Sequence, residues 1–248
     1  MVIVYFSGTG NSAYLAKLFA RQMECECYSI EEAIDFEAVF QKQDIIAICY
    51  PIYGSCVPKI MRDFAAKHRS LLEQKKLIIF CSQMMFSGDG AKAFARLVPQ
   101  SHVIYAEHFN MPNNISNFSL FPITEKERVR KKAKADAKMQ RVCSNIKSGK
   151  VFLRGWSLGS QWLGYVQNKF WPDVERKQAS SFCADESCTG CGLCVKKCPA
   201  QNLVLQEKRP VQLNQCMLCY RCVNLCPQKA ATVMLPAKVK TQYKGVEG

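Results

Sequence analysis

Eight of the fifteen cysteines in this chain stand in one pattern written twice. The first copy is Cys188-x2-Cys191-x2-Cys194-x3-Cys198-Pro199. The second is Cys216-x2-Cys219-x2-Cys222-x3-Cys226-Pro227, with every position recurring at an offset of 28. A repeat of this kind is the internal duplication of one small unit. Its spacing is a ligand pattern. Three closely spaced cysteines wrap a loop around one corner of an iron–sulfur cubane, and the fourth, followed by proline, leaves the loop and ligates the other cluster. The pattern therefore assigns one [4Fe–4S] cluster to Cys188, Cys191, Cys194 and Cys226, and a second to Cys216, Cys219, Cys222 and Cys198. Gly190 and Gly192 permit tight turns close to the sulfurs, where their amides are placed to donate hydrogen bonds. Zinc takes two ligands from each of two well-separated C-x2-C pairs, and two complete sets of four cysteines leave it little room.

Through these motifs the stretch from roughly Phe182 to Leu235 resembles a bacterial two-cluster ferredoxin. The resemblance covers about a fifth of the chain. It implies a small α+β domain and a one-electron carrier of low potential. The other cysteines are Cys25, Cys27, Cys49, Cys56, Cys81, Cys143 and Cys183. They read as small buried hydrophobes, with Cys183, just outside the first motif, the one candidate for a spare ligand.

Fifteen cysteines in a small secreted domain would argue for disulfides, but this chain has 248 residues, enough for two unequal domains. No apolar run approaches the ~20 residues of a membrane span, and the apolar start at Met1–Phe6 is only strand-length. The chain reads as cytoplasmic, where reducing conditions favour metal binding. Its formal charge is +14. Two clusters at about −2 each and one flavin phosphate at about −2 would bring it to about +8. That balance favours acidic redox protein partners, with contact to an anionic membrane surface a lesser reading. No recognition motif supports nucleic-acid binding.

From residue 1 to about 149 the chain alternates β-rich runs with helical patterns. Strands are expected at 2–6, 45–50, 76–81 and 102–106, and helices at 11–22, 58–68, 91–97 and 124–146. The last helix is opened by the capping pair Thr124 and Glu127. Alternation of this kind means a doubly wound α/β domain with a parallel sheet, whose ligands bind at the C-terminal ends of the strands. After the first strand comes Ser7-Gly8-Thr9-Gly10-Asn11-Ser12, directly before a helix. Small residues, hydroxyls and a helix N-terminus together suit a phosphate. The loop is neither a Walker A sequence nor a dinucleotide G-x-G-x-x-G, since Ala13 stands where the third glycine would be.

This S-x-T-G-N-S run resembles the phosphate loop of flavodoxins. Two further loops agree: Tyr50-Pro51-Ile52-Tyr53-Gly54-Ser55, and Ser82-Gln83-Met84-Met85-Phe86-Ser87-Gly88. The resemblance implies that these loops grip the isoalloxazine ring of FMN. Tyr53 and Phe86 are then the stacking candidates, Met84 or Met85 the substitutes, and Gly54 the residue beside flavin N5 whose peptide changes orientation. The long helix following the last strand without a large insertion resembles the short-chain form. Two departures stand out. Neither loop offers a Trp, and the domain carries 20 basic against 14 acidic residues over 1–149, whereas flavodoxins are usually acidic around the flavin.

Residues 125–147 hold nine Lys/Arg against three acids, read as a solvated helix face or a docking face for an acidic partner. The segment 150–181 contains all three tryptophans and reads as an interdomain helix, with a flavin lid or a membrane-surface foot as the sharper alternatives. The stretch 236–248 reads as a polar, loosely held tail. His68, His102 and His108 stand in no ligand spacing. The whole chain resembles the fused flavodoxin–ferredoxin proteins of anaerobic microbes. That implies a flavodoxin-like domain at 1–149, a two-cluster domain at 182–235, and an electron relay between one-electron and two-electron partners. An alternative is an FMN-dependent reductase of a small organic acceptor, with Tyr53 or Tyr50 as proton donor. A redox-sensing module has no effector segment to act through.

Overall fold

The computed structural model describes residues 1–118, 120 and 122–247. The chain divides into two compact units. The first contains Met1–Ser7, Asn11–Met111 and Arg130–Trp171. The second contains Gly8–Gly10, Pro112–Val129 and Pro172–Gly248.

In the first unit the elements run β1 (Val2–Tyr5), α1 (Asn11–Met23), β2 (Glu26–Ser29), α2 (Phe36–Gln41), β3 (Ile45–Pro51), α3 (Lys59–Lys67), α4 (Arg69–Leu72), β4 (Lys76–Gln83), α5 (Gly90–Ala95) and β5 (His102–Asn110). They continue with α6 (Glu125–Lys147), β6 (Phe152–Leu153) and α7 (Leu158–Gln178), of which residues 130–147 of α6 and 158–171 of α7 belong to this unit. The strands form one parallel sheet in the order β2-β1-β3-β4-β5-β6. Its middle strands are continuous apolar runs because both faces are covered: Ile46–Tyr50 and Leu77–Cys81 are fully buried. α1 lays Leu15, Leu18 and Phe19 on the sheet, with Phe19 edge-on to Phe80 at 5.0 Å between centroids. The strand order reverses between β1 and β3, so the loops after β1, β3 and β4 mark the ligand end of such a sheet.

Several local features depart from the sequence reading. β2 and the six-residue α2 were not expected. Asp35 caps α2 by accepting from the amides of Glu37 and Ala38. β5 runs to Asn110 rather than ending near residue 106. The segment 150–181 is largely one helix, α7, which continues through Pro172 although that residue cannot donate the backbone hydrogen bond of its turn. The basic helix α6 is more than a solvated face. Lys131 donates to the carbonyls of Met84 and Met111, and Lys138 to that of His108 while pairing with Glu107 at 3.2 Å.

The second unit adds β7 (Cys183–Ala184), α8 (Leu193–Lys196), β8 (Leu203–Gln206), β9 (Arg209–Gln212), α9 (Arg221–Leu225) and β10 (Ala231–Thr232). β7 pairs antiparallel with β10, and β8 with β9. The 28-residue duplication is visible in the backbone. Left-handed residues recur at Gly190 and Leu218, Gly192 and Tyr220, and Gln201 and Lys229. The stretch from Pro236 is tied down, contrary to expectation. Val239, Tyr243 and Val246 are buried, and the Gln242 amide donates to the carbonyls of Val223 and Cys226. Gly248 lies outside the described residues.

Candidate functional site

The second unit brings the cysteines of the first crossed set around one space. Cys188, Cys191, Cys194 and Cys226 line one cavity, walled also by Gly190, Gly192 and Pro227. Among the described residues no three His, Cys, Asp or Glu side chains converge as a single-ion site. Thiols standing apart around a shared space are what a cubane requires, since each binds a different iron.

The other four thiols are close enough for their charges to act on one another. Burial above all pushes the Cys222 thiol well up, followed by its neighbours Cys219, Cys216, Cys198 and Cys194. Burial likewise pushes Cys219 up to about 12, against the opposing pull of the Arg221 amide and guanidinium. A buried thiol of this kind is a poor free thiolate, and positive irons are what would make four adjacent sulfur charges tolerable. Backbone amides reach the sulfurs: Asn202 donates to Cys198 Sγ at 3.3 Å and Leu218 to Cys216 Sγ at 3.5 Å. Such donors stabilise the charge on a ligating sulfur. Asn202 is almost fully buried, and its side-chain oxygen accepts from the amides of Leu213 and Gln215, fixing the approach to Cys216. Sequence reading did not single out Asn202, because an isolated Asn carries no spacing signal. Cys183 is exposed on β7, paired in register with Thr232.

In the first unit, α1 begins at Asn11 with no acidic residue in its first turn, so its own side chains do not satisfy the helix dipole. Ser7, Asn11 and Ser12 lie buried at this end, and Ser12 Oγ is 2.8 Å from Ser82 Oγ. These neutral donors fit a phosphate monoester. Gly8, Thr9 and Gly10 belong to the second unit.

At the end of β3, Pro51 pairs with Ser82 of β4, and beyond it Ile52 donates its amide to the Ser82 carbonyl. Tyr53 and Cys56 exchange backbone hydrogen bonds around Gly54-Ser55, whose φ values are +53° and +63°. This is a primed two-residue turn, which demands left-handed residues at both central positions. Gly54 has a further reason to lack a side chain: a Cβ there would lie 2.1 Å from the indole of Trp171. The sequence reading found no Trp in either ring-binding loop, and the structure brings one from α7. Other α7 residues share that face. The Lys92 ammonium donates to Gln161, Ser55 Oγ to Gln167 and Cys56 Sγ to Asn168, while Gly164 lies bare against Asp89.

At the end of β4, the Gln83 side-chain amide donates to Asn110 and to the Met85 carbonyl and accepts from Ser87. Met84 is half-buried, with its carbonyl held by Lys131. Phe86 stands 62% exposed, Met85 46%, and Gly88 is half-buried with φ +55°. Exposed Phe86 and the Trp171 indole give this end two aromatic surfaces suited to a flat ring. Tyr53 is half-buried. Tyr50, named as a proton donor, is fully enclosed, its hydroxyl donating to the Gly90 carbonyl at 2.7 Å. Burial first, then Cys81 and Asp89, push its pKa well up, so it does not serve as an acid toward a substrate. His108 also proves structural. Its Nε2 accepts from the Ala91 amide at 3.1 Å, and burial, then Arg154 and Lys138, lower its pKa to about 4.

Residues 2–121 match the flavodoxin domain family and residues 187–230 the 4Fe–4S dicluster domain family. The chain thus carries a flavodoxin domain and a 4Fe–4S dicluster domain in one polypeptide, an architecture of redox and electron-transfer proteins. The first domain implies FMN and the second iron–sulfur ligation. The two-electron-reduced flavodoxin of Megasphaera elsdenii is 26% identical, with 56% of this chain and 99% of that one covered and a TM-score of 0.39. The Trp repressor binding protein of Bacillus subtilis is 12% identical over 57% of this chain and 96% of that one, with a TM-score of 0.41. An uncharacterized protein of Methanocaldococcus jannaschii is 54% identical over 33 residues, 13% of this chain. The chain spans 15% of the length of that curated relative. Among the described residues no helix is long and apolar enough to cross a membrane.

Proposed function

We propose that the chain is an intramolecular electron-transfer protein holding two [4Fe–4S] clusters and one FMN. The observation that carries this reading is the single cavity lined by Cys188, Cys191, Cys194 and Cys226, a ligand set crossed between the two repeats and joined to a flavodoxin domain in the same chain. The mutual proximity of Cys198, Cys216, Cys219 and Cys222 supports the second cluster.

When bound, the clusters carry single electrons and the flavin accepts two in succession, so their fusion links one-electron to two-electron partners. The chain's own residues do the rest. Amides of Asn202 and Leu218 stabilise sulfur charge, Ser7, Asn11 and Ser12 offer donors to the flavin phosphate, and Trp171 and Phe86 offer ring surfaces. Positive charge persists after loading, which suits acidic redox protein partners. The enclosure of Tyr50 removes one of the two acids that the reductase alternative would use.

The test is anaerobic purification with assays of iron, sulfide and released flavin. About eight irons and one FMN per chain support the proposal. Four irons would remove the second cluster from it, and no flavin, even after added FMN, would reduce the first domain to a docking module.

A further inference from the structure

The tripeptide Gly8-Thr9-Gly10, the centre of the loop read as an anion site, sits in the same compact unit as the cysteine repeats. Its polar groups are held there by the second repeat. Arg221 lies between Cys219 and Cys222. Its Nε donates to the Gly8 carbonyl at 3.1 Å, and its Nη1 to the carbonyl of Lys197, the neighbour of Cys198. One side chain therefore touches the anion loop and the segment leading to the fourth thiol of its own cluster site. Its backbone amide, meanwhile, supports Cys219.

A second path runs in parallel. Asn224, two residues beyond Cys222 and almost fully buried, donates to the Asn114 carbonyl at 2.9 Å and accepts from Ser116 and from the Tyr243 amide. The Asn114 side chain in turn donates to Thr9 Oγ1 at 2.8 Å. A hydroxyl that accepts an amide proton keeps its own proton to give to an anion. Thr9 is thereby set as a donor by a residue anchored on α9. At the matching positions of the first repeat, 28 residues earlier, stand Leu193 and Lys196, which lack these groups.

We infer that Arg221 and the Asn114–Asn224 pair couple flavin binding to occupancy of the second cluster site: the loaded cluster fixes α9, and α9 fixes the phosphate-binding tripeptide. These are positioning residues, and the inference rests on the FMN reading above. Coupling of this kind is reciprocal, so bound FMN protects the second cluster by the same factor by which the cluster tightens FMN. It acts through the phosphate alone, which separates it from general loosening of the fold.

The experiment uses the full-length, iron-loaded protein and measures the Kd of FMN and of riboflavin, which lacks the phosphate, from free flavin in ultrafiltrates. R221Q and N114A are compared with the wild type, each with its iron content assayed. The expected result is FMN binding weakened about tenfold in either variant, riboflavin binding unchanged, and faster iron loss to a chelator that added FMN no longer slows. If R221Q loses iron outright, N114A, which borders no ligating cysteine, carries the test. Equal FMN affinity in N114A and wild type, or an equal loss of riboflavin affinity, overturns the coupling. A wild-type protein that binds neither flavin overturns the FMN reading itself.

Discussion

The two halves of the iron–sulfur unit share one backbone plan but treat their sulfurs differently. In the first repeat Cys191 is exposed, and left-handed positions 190 and 192 are glycines. In the second, Cys219 is buried among Met217, Leu218 and Tyr220, and the matching left-handed positions are Leu218 and Tyr220. Side chains at positive φ cost about 1 kcal/mol each or more. The second half accepts that strain and gains a shield around its thiols, while the first stays open to solvent. The difference teaches that duplication fixed the ligand geometry while burial diverged. It leaves the first cysteine repeat open at Cys191 and the second enclosed at Cys219, next to the Arg221 that reaches the tripeptide 8–10.

The largest test of this comparison is ligand exchange between halves. C226A should remove the cluster of the first, open site, and C198A that of the second, each dropping iron from about eight to about four. In C226A the surviving iron should be the slow fraction in a chelator challenge, and in C198A the fast one. The reverse order would break the assignment of open and shielded sites.

The second test lies in the first unit and separates its acid response from that of the clusters. His108 has a folded pKa of about 4 against an unfolded value of 6.5, because burial and then Arg154 and Lys138 disfavour its charge. The unfolded chain therefore binds the extra proton between these values. Stability is fully present above pH 6.5 and falls by about 3 kcal/mol as pH drops toward 4. All three tryptophans lie in the first unit. Urea unfolding followed by their fluorescence should show that slope in the wild type and lose it in H108Q.

Smaller effects sharpen the comparison within the repeats. A Cβ at Gly190 would sit 2.3 Å from the Lys208 carbonyl at a φ of +70°. G190A should therefore cost about 2 kcal/mol, read as a lowered urea midpoint for iron release. Gln201 and Lys229 are exposed left-handed residues at equivalent positions. Q201G should stabilise by about 0.5–1 kcal/mol, and K229G by less, because it also removes the hydrogen bond from Lys229 Nζ to the Lys240 carbonyl. A loss of stability in either would show that its side chain does more than tolerate the turn.

Much of this was legible in the residues, for definite reasons. The cysteine spacing announces the 4Fe–4S dicluster domain directly, and the buried strands β3 and β4 announce themselves as apolar runs. β2 did not, because Glu26-Cys27-Tyr28-Ser29 is a half-exposed edge strand without alternation. α7 was hard to bound because proline usually ends a helix, yet this one runs six residues past Pro172. The Trp171 contact with Gly54 and the Arg221 contact with Gly8 join residues more than a hundred positions apart. No periodicity records such pairs, and only the folded chain reveals them.

The central claim is that electrons pass between iron–sulfur centres and flavin within one molecule. The direct measurement is anaerobic stopped-flow reduction of the loaded protein with a limiting one-electron donor, recording the iron–sulfur and flavin bands over a tenfold range of protein concentration. The account predicts redistribution between the two bands at a rate independent of concentration. A rate rising in proportion to concentration would mean that electrons move between molecules, and would contradict it.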